Sequence, residues 1–141
     1  MVIHAADLGI HLDRGSGQAM YRWLVASMLF GRPVQQSVGA DAYRALIDRG
    51  LTSPPKYAEL EREELRAILD DAHYARIDYI MTDELHEVMA RIVDEYGTVS
   101  KMVRTSSDRD ELTRRLTAMK GIGPKTAEIF LRDLPEHVLP R

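Results

Sequence analysis

Apolar residues recur at helical spacing along most of the chain, and no stretch keeps the two-residue alternation of a half-buried strand. Residues 17–30, "GQAMYRWLVASMLF", place Met20, Trp23, Leu24, Ser27 and Met28 on one side and stop at Gly31. Pro33 suits the first turn of a second helix that runs through "VQQSVGADAYRALIDRG" to Gly50, a typical C-terminal residue. "TSPPKY" reads as a loop with Ser53 as a cap. "EREELRAILDDAHY" then predicts a third helix with Leu60, Leu65, Ile68 and Leu69 inward and its acids early, where the macrodipole favours them. From Ala75 to Tyr96 the stripe of Ile77, Ile80, Met81, Leu85, Val88, Met89, Ile92 and Val93 predicts a long amphipathic helix ending at Gly97. A short segment, "TVSKMVRTS", leads to "SDRDELTRRLTAM", which opens at Ser107 and buries Leu112, Leu116 and Met119. "PKTAEIFLRDL" closes the pattern, with Pro124 at its first position and Ala127, Ile129, Phe130 and Leu131 available for packing. The expected fold is an all-α helical bundle over residues 17–141, preceded by an N-terminal extension, residues 1–16.

Composition narrows the chemistry. At 141 residues and 45% hydrophobic, the chain is of a size to build one core. Cysteine is absent, which removes disulfides, thiolate zinc sites, iron-sulfur clusters and thiol nucleophiles. The longest uncharged apolar run, "WLVASMLFG", is too short to span a membrane, and a soluble, cytoplasmic protein is expected. Net charge is −3, divided as +2 over residues 1–56, −8 over 57–100 and +3 over 101–141. The last segment is therefore locally positive in an acidic protein. The five histidines show no ligand spacing, His86-Glu87 lacks the second histidine of a zinc-protease motif, and the methionines fit the core.

That positive segment contains "LTAMKGIGPKTAEIFLRDL". Gly121 and Gly123 open backbone conformations closed to other residues, so two helices can be joined by a tight turn. Ile122 between them can anchor the turn in the core, and Pro124 can start the next helix. The N–H groups of Gly121, Gly123 and Lys125 would face outward at a positive helix end, an arrangement that binds phosphate. Lys120, Lys125 and the Thr126 hydroxyl would stand beside it.

The string resembles the helix-hairpin-helix DNA-binding motif at nearly every position. "YRWLVASMLFGRPVQQSVGADAYRAL" and "HYARIDYIMTDELHEVMARIVDEYG" extend the resemblance to the endonuclease III-like base-excision glycosylases, so that roughly residues 18–133 resemble their six-helix barrel domain. The resemblance implies a protein that grips double-stranded DNA by its phosphates, without reading bases. Its contacts would be Lys120, Gly121, Ile122, Gly123, Lys125 and Thr126, with Arg32 and Gln35 near the position of a base flipped from the duplex. It implies a monovalent cation held by the carbonyls of Thr117, Met119 and Ile122, whereas the family's four-cysteine iron-sulfur loop is absent from this sequence, so no cluster is expected. Lys125 matches the lysine that forms a Schiff base in bifunctional members. The same position is a plain phosphate contact in non-catalytic hairpins, so its identity leaves both roles open. The departures are Lys120 in place of proline and "DLPEHVLPR" in place of the segment with the catalytic aspartate. Asp133 falls too early, which leaves Glu136 as the carboxylate to stand in. The alternatives are a DNA-binding module without chemistry and a helical protein-interaction domain.

Overall fold

The first helix, α1 (Gly17–Phe30), is apolar on nearly every side and therefore has to lie inside. From Ala19 to Phe30 every residue except Arg22 is buried. A computed structural model of the chain, describing residues 2–74 and 78–139, sets six more α-helices around it. They are α2 (Gln36–Asp48), α3 (Arg62–Asp71), α4 (Asp78–Glu95), α5 (Val99–Arg104), α6 (Arg109–Thr117) and α7 (Pro124–Asp133). Short 3-10 turns stand at Ala5–Leu8, Leu12–Arg14, Pro54–Glu59 and Glu136–Val138. The bundle is all-α, as the pattern predicts, and no strand occurs among the described residues.

Helix α1 packs against α2, α5 and α7, while α4 packs against α3 and the Pro54–Glu59 turn. The α1–α2 approach depends on Gly39, where a β-carbon would come within 2.6 Å of the Phe30 ring. Trp23 at the centre is fully buried, so its indole N–H requires an acceptor and finds the Phe130 carbonyl of α7 at 3.1 Å. Met20, Met28, Met81, Met89 and Met119 are all buried, in keeping with their reading as core filler. Along α4, Met81, Leu85, Val88, Met89 and Ile92 point inward, whereas Ile80 and Val93 are exposed. Ile77 of the expected stripe lies outside the described residues.

Local chemistry sets several boundaries differently from the pattern. Helix α2 starts at Gln36 with Gln35 as its N-cap, so Pro33 lies in the preceding turn, where the Val34 N–H bonds the Arg32 carbonyl at 2.7 Å. The "TSPPKY" loop coils into a 3-10 turn that buries Tyr57, and Ser53 makes no side-chain cap. "TVSKMVRTS" is helical as α5, because Thr98 accepts the Lys101 N–H at 3.0 Å and Val99, Met102 and Val103 turn inward. Helix α6 is capped by Asp108 in place of Ser107: Asp108 accepts the Glu111 N–H at 2.9 Å and Glu111 accepts the Ser107 N–H at 2.6 Å.

The extension of residues 1–16 packs onto the bundle. Ala5, Ile10 and Leu12 are buried. Asp133, at the end of α7, accepts from the Ala5 N–H at 2.8 Å and from His4 Nδ1 at 3.0 Å, and Gln36 accepts the Ile3 N–H at 3.0 Å.

Candidate nucleic-acid interface

The turn between α6 and α7 is a tight hairpin built on one residue of positive φ. Gly121 has φ +108°, a region L-residues avoid. Ile122 is buried, and its N–H is turned inward onto the Met119 carbonyl at 3.1 Å. Gly123 has an ordinary φ of −93° and serves as the N-cap of α7 with no side-chain cap, followed by Pro124. The two glycines thus do different jobs, and the expectation that both need glycine's freedom is corrected. Only Gly121 requires it. At Gly123 a β-carbon would meet nothing within 4 Å, so the backbone there faces open space. The N–H groups of Gly121, Gly123 and Lys125 have no acceptor among the described residues, which leaves them available at a positive helix terminus.

Beneath the hairpin lies α4. A β-carbon on Gly121 would come within 2.8 Å of Glu84 Cβ, so the turn rests directly on that side chain. The Glu84 carboxylate, largely withdrawn from water, is ion-paired with the partly exposed Arg32 of the α1–α2 turn. One residue earlier, Asp83 takes a two-pronged bond from Arg62 at 2.8 and 3.0 Å. That bond is the main reason its carboxyl sits below the usual range, with His86 and Lys120 contributing through their charge. The acidic segment is therefore folded against the basic one. The net charge of residues 101–141 does not describe the field at the hairpin, and the two arginines are what offset the carboxylates there.

The predicted site residues divide accordingly. Lys120, Gly123 and Lys125 are exposed on the hairpin, with Lys125 Nζ 4.0 Å from Glu128 in a solvated pair. Gln35 is exposed at the start of α2. Thr126, expected beside the phosphate site, is buried with its hydroxyl against Gly31, where a β-carbon would stand 2.0 Å from Oγ1. It sits four residues after Ile122 and four before Phe130, on the inward face of α7, which is why it cannot reach outward. Arg32 is near the hairpin but committed to Glu84. Glu136, expected to stand in for the aspartate, lies past the far end of α7 and bonds Arg109 at 3.0 Å. The helix between it and Lys125 has 10 residues, about 15 Å at 1.5 Å per residue, so the two cannot share a substrate atom.

Asp133 is also at that far end. Burial tends to raise its pKa, but bonds from Arg132, the Ala5 N–H and His4 outweigh burial and hold the carboxyl below the usual range. Of the carbonyls expected to hold a cation, that of Met119 accepts the Ile122 N–H. Arg91, held by Glu95 at 2.5 Å, donates to the neighbouring Ala118 carbonyl at 2.7 Å and brings positive charge to the C-terminus of α6. Arg91 and Glu84 escape sequence reasoning as parts of the site. The Arg91–Glu95 spacing is visible in the sequence, but its reach across to α6 is not. Glu84 carries no signal at all. Among the described residues no group of three or more His, Asp or Glu could hold a metal ion, and no helix is long and apolar enough to cross a membrane. No protein-family model, curated protein or solved structure matches the chain.

Proposed function

We propose that the chain is a helix-hairpin-helix protein that grips double-stranded DNA by its phosphate backbone, without sequence preference. The observation that carries the proposal is the uncapped start of α7: Gly123 faces open space, and the N–H groups of Gly121, Gly123 and Lys125 lack acceptors, between the exposed Lys120 and Lys125. A phosphate oxygen placed there accepts from backbone and lysine together. Gly121 and the buried Ile122 hold the loop in that shape. A monovalent cation at the carbonyls of Thr117, Met119 and Ile122 belongs to the same proposal: Met119 already accepts one N–H but keeps a second lone pair. A six-helix barrel of the base-excision glycosylase kind is part of the same proposal.

Base excision itself is not part of the proposal. An exposed lysine can attack the open-chain aldehyde of an abasic sugar, the nitrogen forming a bond to C1′ as water leaves. Excising an intact base needs in addition a carboxylate or an activated water at the sugar, and Glu136 is at the other end of α7.

Titration of unrelated duplexes by fluorescence anisotropy tests the reading. Affinity is expected to be similar for all of them, to fall with salt at a slope of about 2–4 released counterions, and to weaken in Lys125→Ala. Indifference to salt and to Lys125 would refute it. Borohydride trapping on abasic DNA should be weak and lost in Lys125→Ala, with no release of a damaged base from an intact lesion.

A further inference from the structure

We propose that a second site, at the opposite end of α7 from the hairpin, binds a phosphate-class anion. The chain folds Arg14, Arg104 and His137, from three distant segments, around one open cleft of about 320 Å³ whose other walls are Gly15, Val138 and Leu139. No carboxylate lines it. Converging like charges in a chain of net charge −3 works against folding by repulsion, and a bound anion removes that repulsion. A cleft walled by one sign of charge also raises the local concentration of the opposite ion.

Arg104 and His137 are fixed in place, not left to wave in solvent. Arg104 donates one Nη2 bond to the Gly15 carbonyl, which leaves other guanidinium donors for a ligand. His137 Nε2 lies 2.7 Å from the Asp13 carbonyl, which can only accept, so this nitrogen carries the proton. The chain reaches both carbonyls because Gly15 is left-handed at φ +67° and close-packed: a β-carbon there would come within 3.3 Å of Arg104 Nη2 and 3.4 Å of Val138 Cγ1. Arg14, next in sequence, makes no hydrogen bond or ion pair among the described residues and is exposed at the rim. Glu136, the carboxylate beside His137, is engaged by Arg109 at 3.0 Å. Two guanidinium groups converging on a site this size suit the oxygens of a phosphate group, free or as an ester. The length of α7, about 15 Å, separates this cleft from the hairpin, so the inference does not depend on the DNA reading.

The test uses the full chain, with melting temperature and titration calorimetry followed as inorganic phosphate replaces chloride at constant ionic strength. Wild type should show a saturable rise in melting temperature. Arg14→Ala removes no bond seen in the fold and should melt normally without phosphate, but require at least about tenfold more phosphate for half-saturation. Lys125→Ala should leave it unchanged, which separates this cleft from phosphate bound at the hairpin. A nucleoside 5′-monophosphate binding in the same variant pattern, but tighter than inorganic phosphate, identifies the ligand as an ester; equal affinity identifies it as free phosphate. A wild type indifferent to phosphate would overturn the proposal. So would an Arg14→Ala response equal to wild type, or a response lost in Lys125→Ala and kept in Arg14→Ala.

Discussion

Replacing Gly121 with alanine is expected to destabilise the fold far more than the same change at Gly123, two residues away. At φ +108° an alanine is strained by about 1–3 kcal/mol. Its methyl would also stand 2.8 Å from Glu84 Cβ, 3.0 Å from Cγ and 3.3 Å from Cδ, so Glu84 must move. Glu84 is not free to do so, because its carboxylate is held by Arg32. Loosening that partly exposed pair costs about 0.5–1 kcal/mol after solvent screening. The total is about 1.5–4 kcal/mol, or a melting temperature roughly 5–15 °C lower for a domain of this size. Gly123→Ala meets none of this. Its φ is −93° and the added methyl enters open space, so the change should cost only the preference for glycine over alanine at an N-cap, about 0.5–1 kcal/mol. The methyl nevertheless stands in front of the α7 N-terminus, where a phosphate would approach. Gly123→Ala should therefore fold normally and bind duplex DNA more weakly. Calorimetric melts and anisotropy titrations of both variants separate the two effects. If Gly121→Ala melts within about 2 °C of wild type, or if Gly123→Ala is the less stable of the two, the geometric argument fails.

Lys120→Ala and Lys125→Ala should each reduce the salt slope of DNA binding by about one counterion, read from log–log plots, with no change in sequence preference. Tyr21→Phe should cost about 1–3 kcal/mol in urea unfolding, since the Tyr21 hydroxyl bonds the Leu51 carbonyl at 2.5 Å and the Tyr57 hydroxyl at 2.9 Å, all buried; a neutral substitution would mean the network is dispensable. Asp133→Asn should detach the N-terminal segment and lower stability by about 1–2 kcal/mol at pH 6. The Asp133 carboxyl is depressed in the folded state, so its contribution is present above the unfolded value of 3.8 and is lost as pH falls through the lower folded value. The gap between wild type and variant in urea midpoints should accordingly close below about pH 4, and a gap that persists at pH 2 would contradict the assignment.

Sequence periodicity alone was enough to identify the all-α class, the inward faces of α3 and α4, and the position of the hairpin, because each rests on residues within one or two helical turns of one another. A stripe such as Leu85, Val88, Met89 and Ile92 declares its buried face wherever the helix later packs. The same locality explains why Pro124 at the start of α7 was legible. Other features needed only finer local reading. The Thr98 cap of α5 and the Asp108 cap of α6 each precede by three residues the N–H they accept, a spacing visible in the sequence. The tertiary structure alone decided which glycine has positive φ and what lies beneath it. Glu84 reaches Gly121 from 37 positions away, and no local rule ties the two. It decided likewise that Thr126 faces Gly31 instead of solvent, that Arg32 is paired, and that Glu136 sits a helix length from Lys125. Charge shows the division most plainly. The acids of α4 and the lysines of the hairpin belong to segments of opposite sign along the chain, yet packing seats Gly121 on Glu84 and brings the charge of Lys120 to bear on Asp83. Coulomb energy depends on distance through space, so the field at a site is known only once the chain has folded.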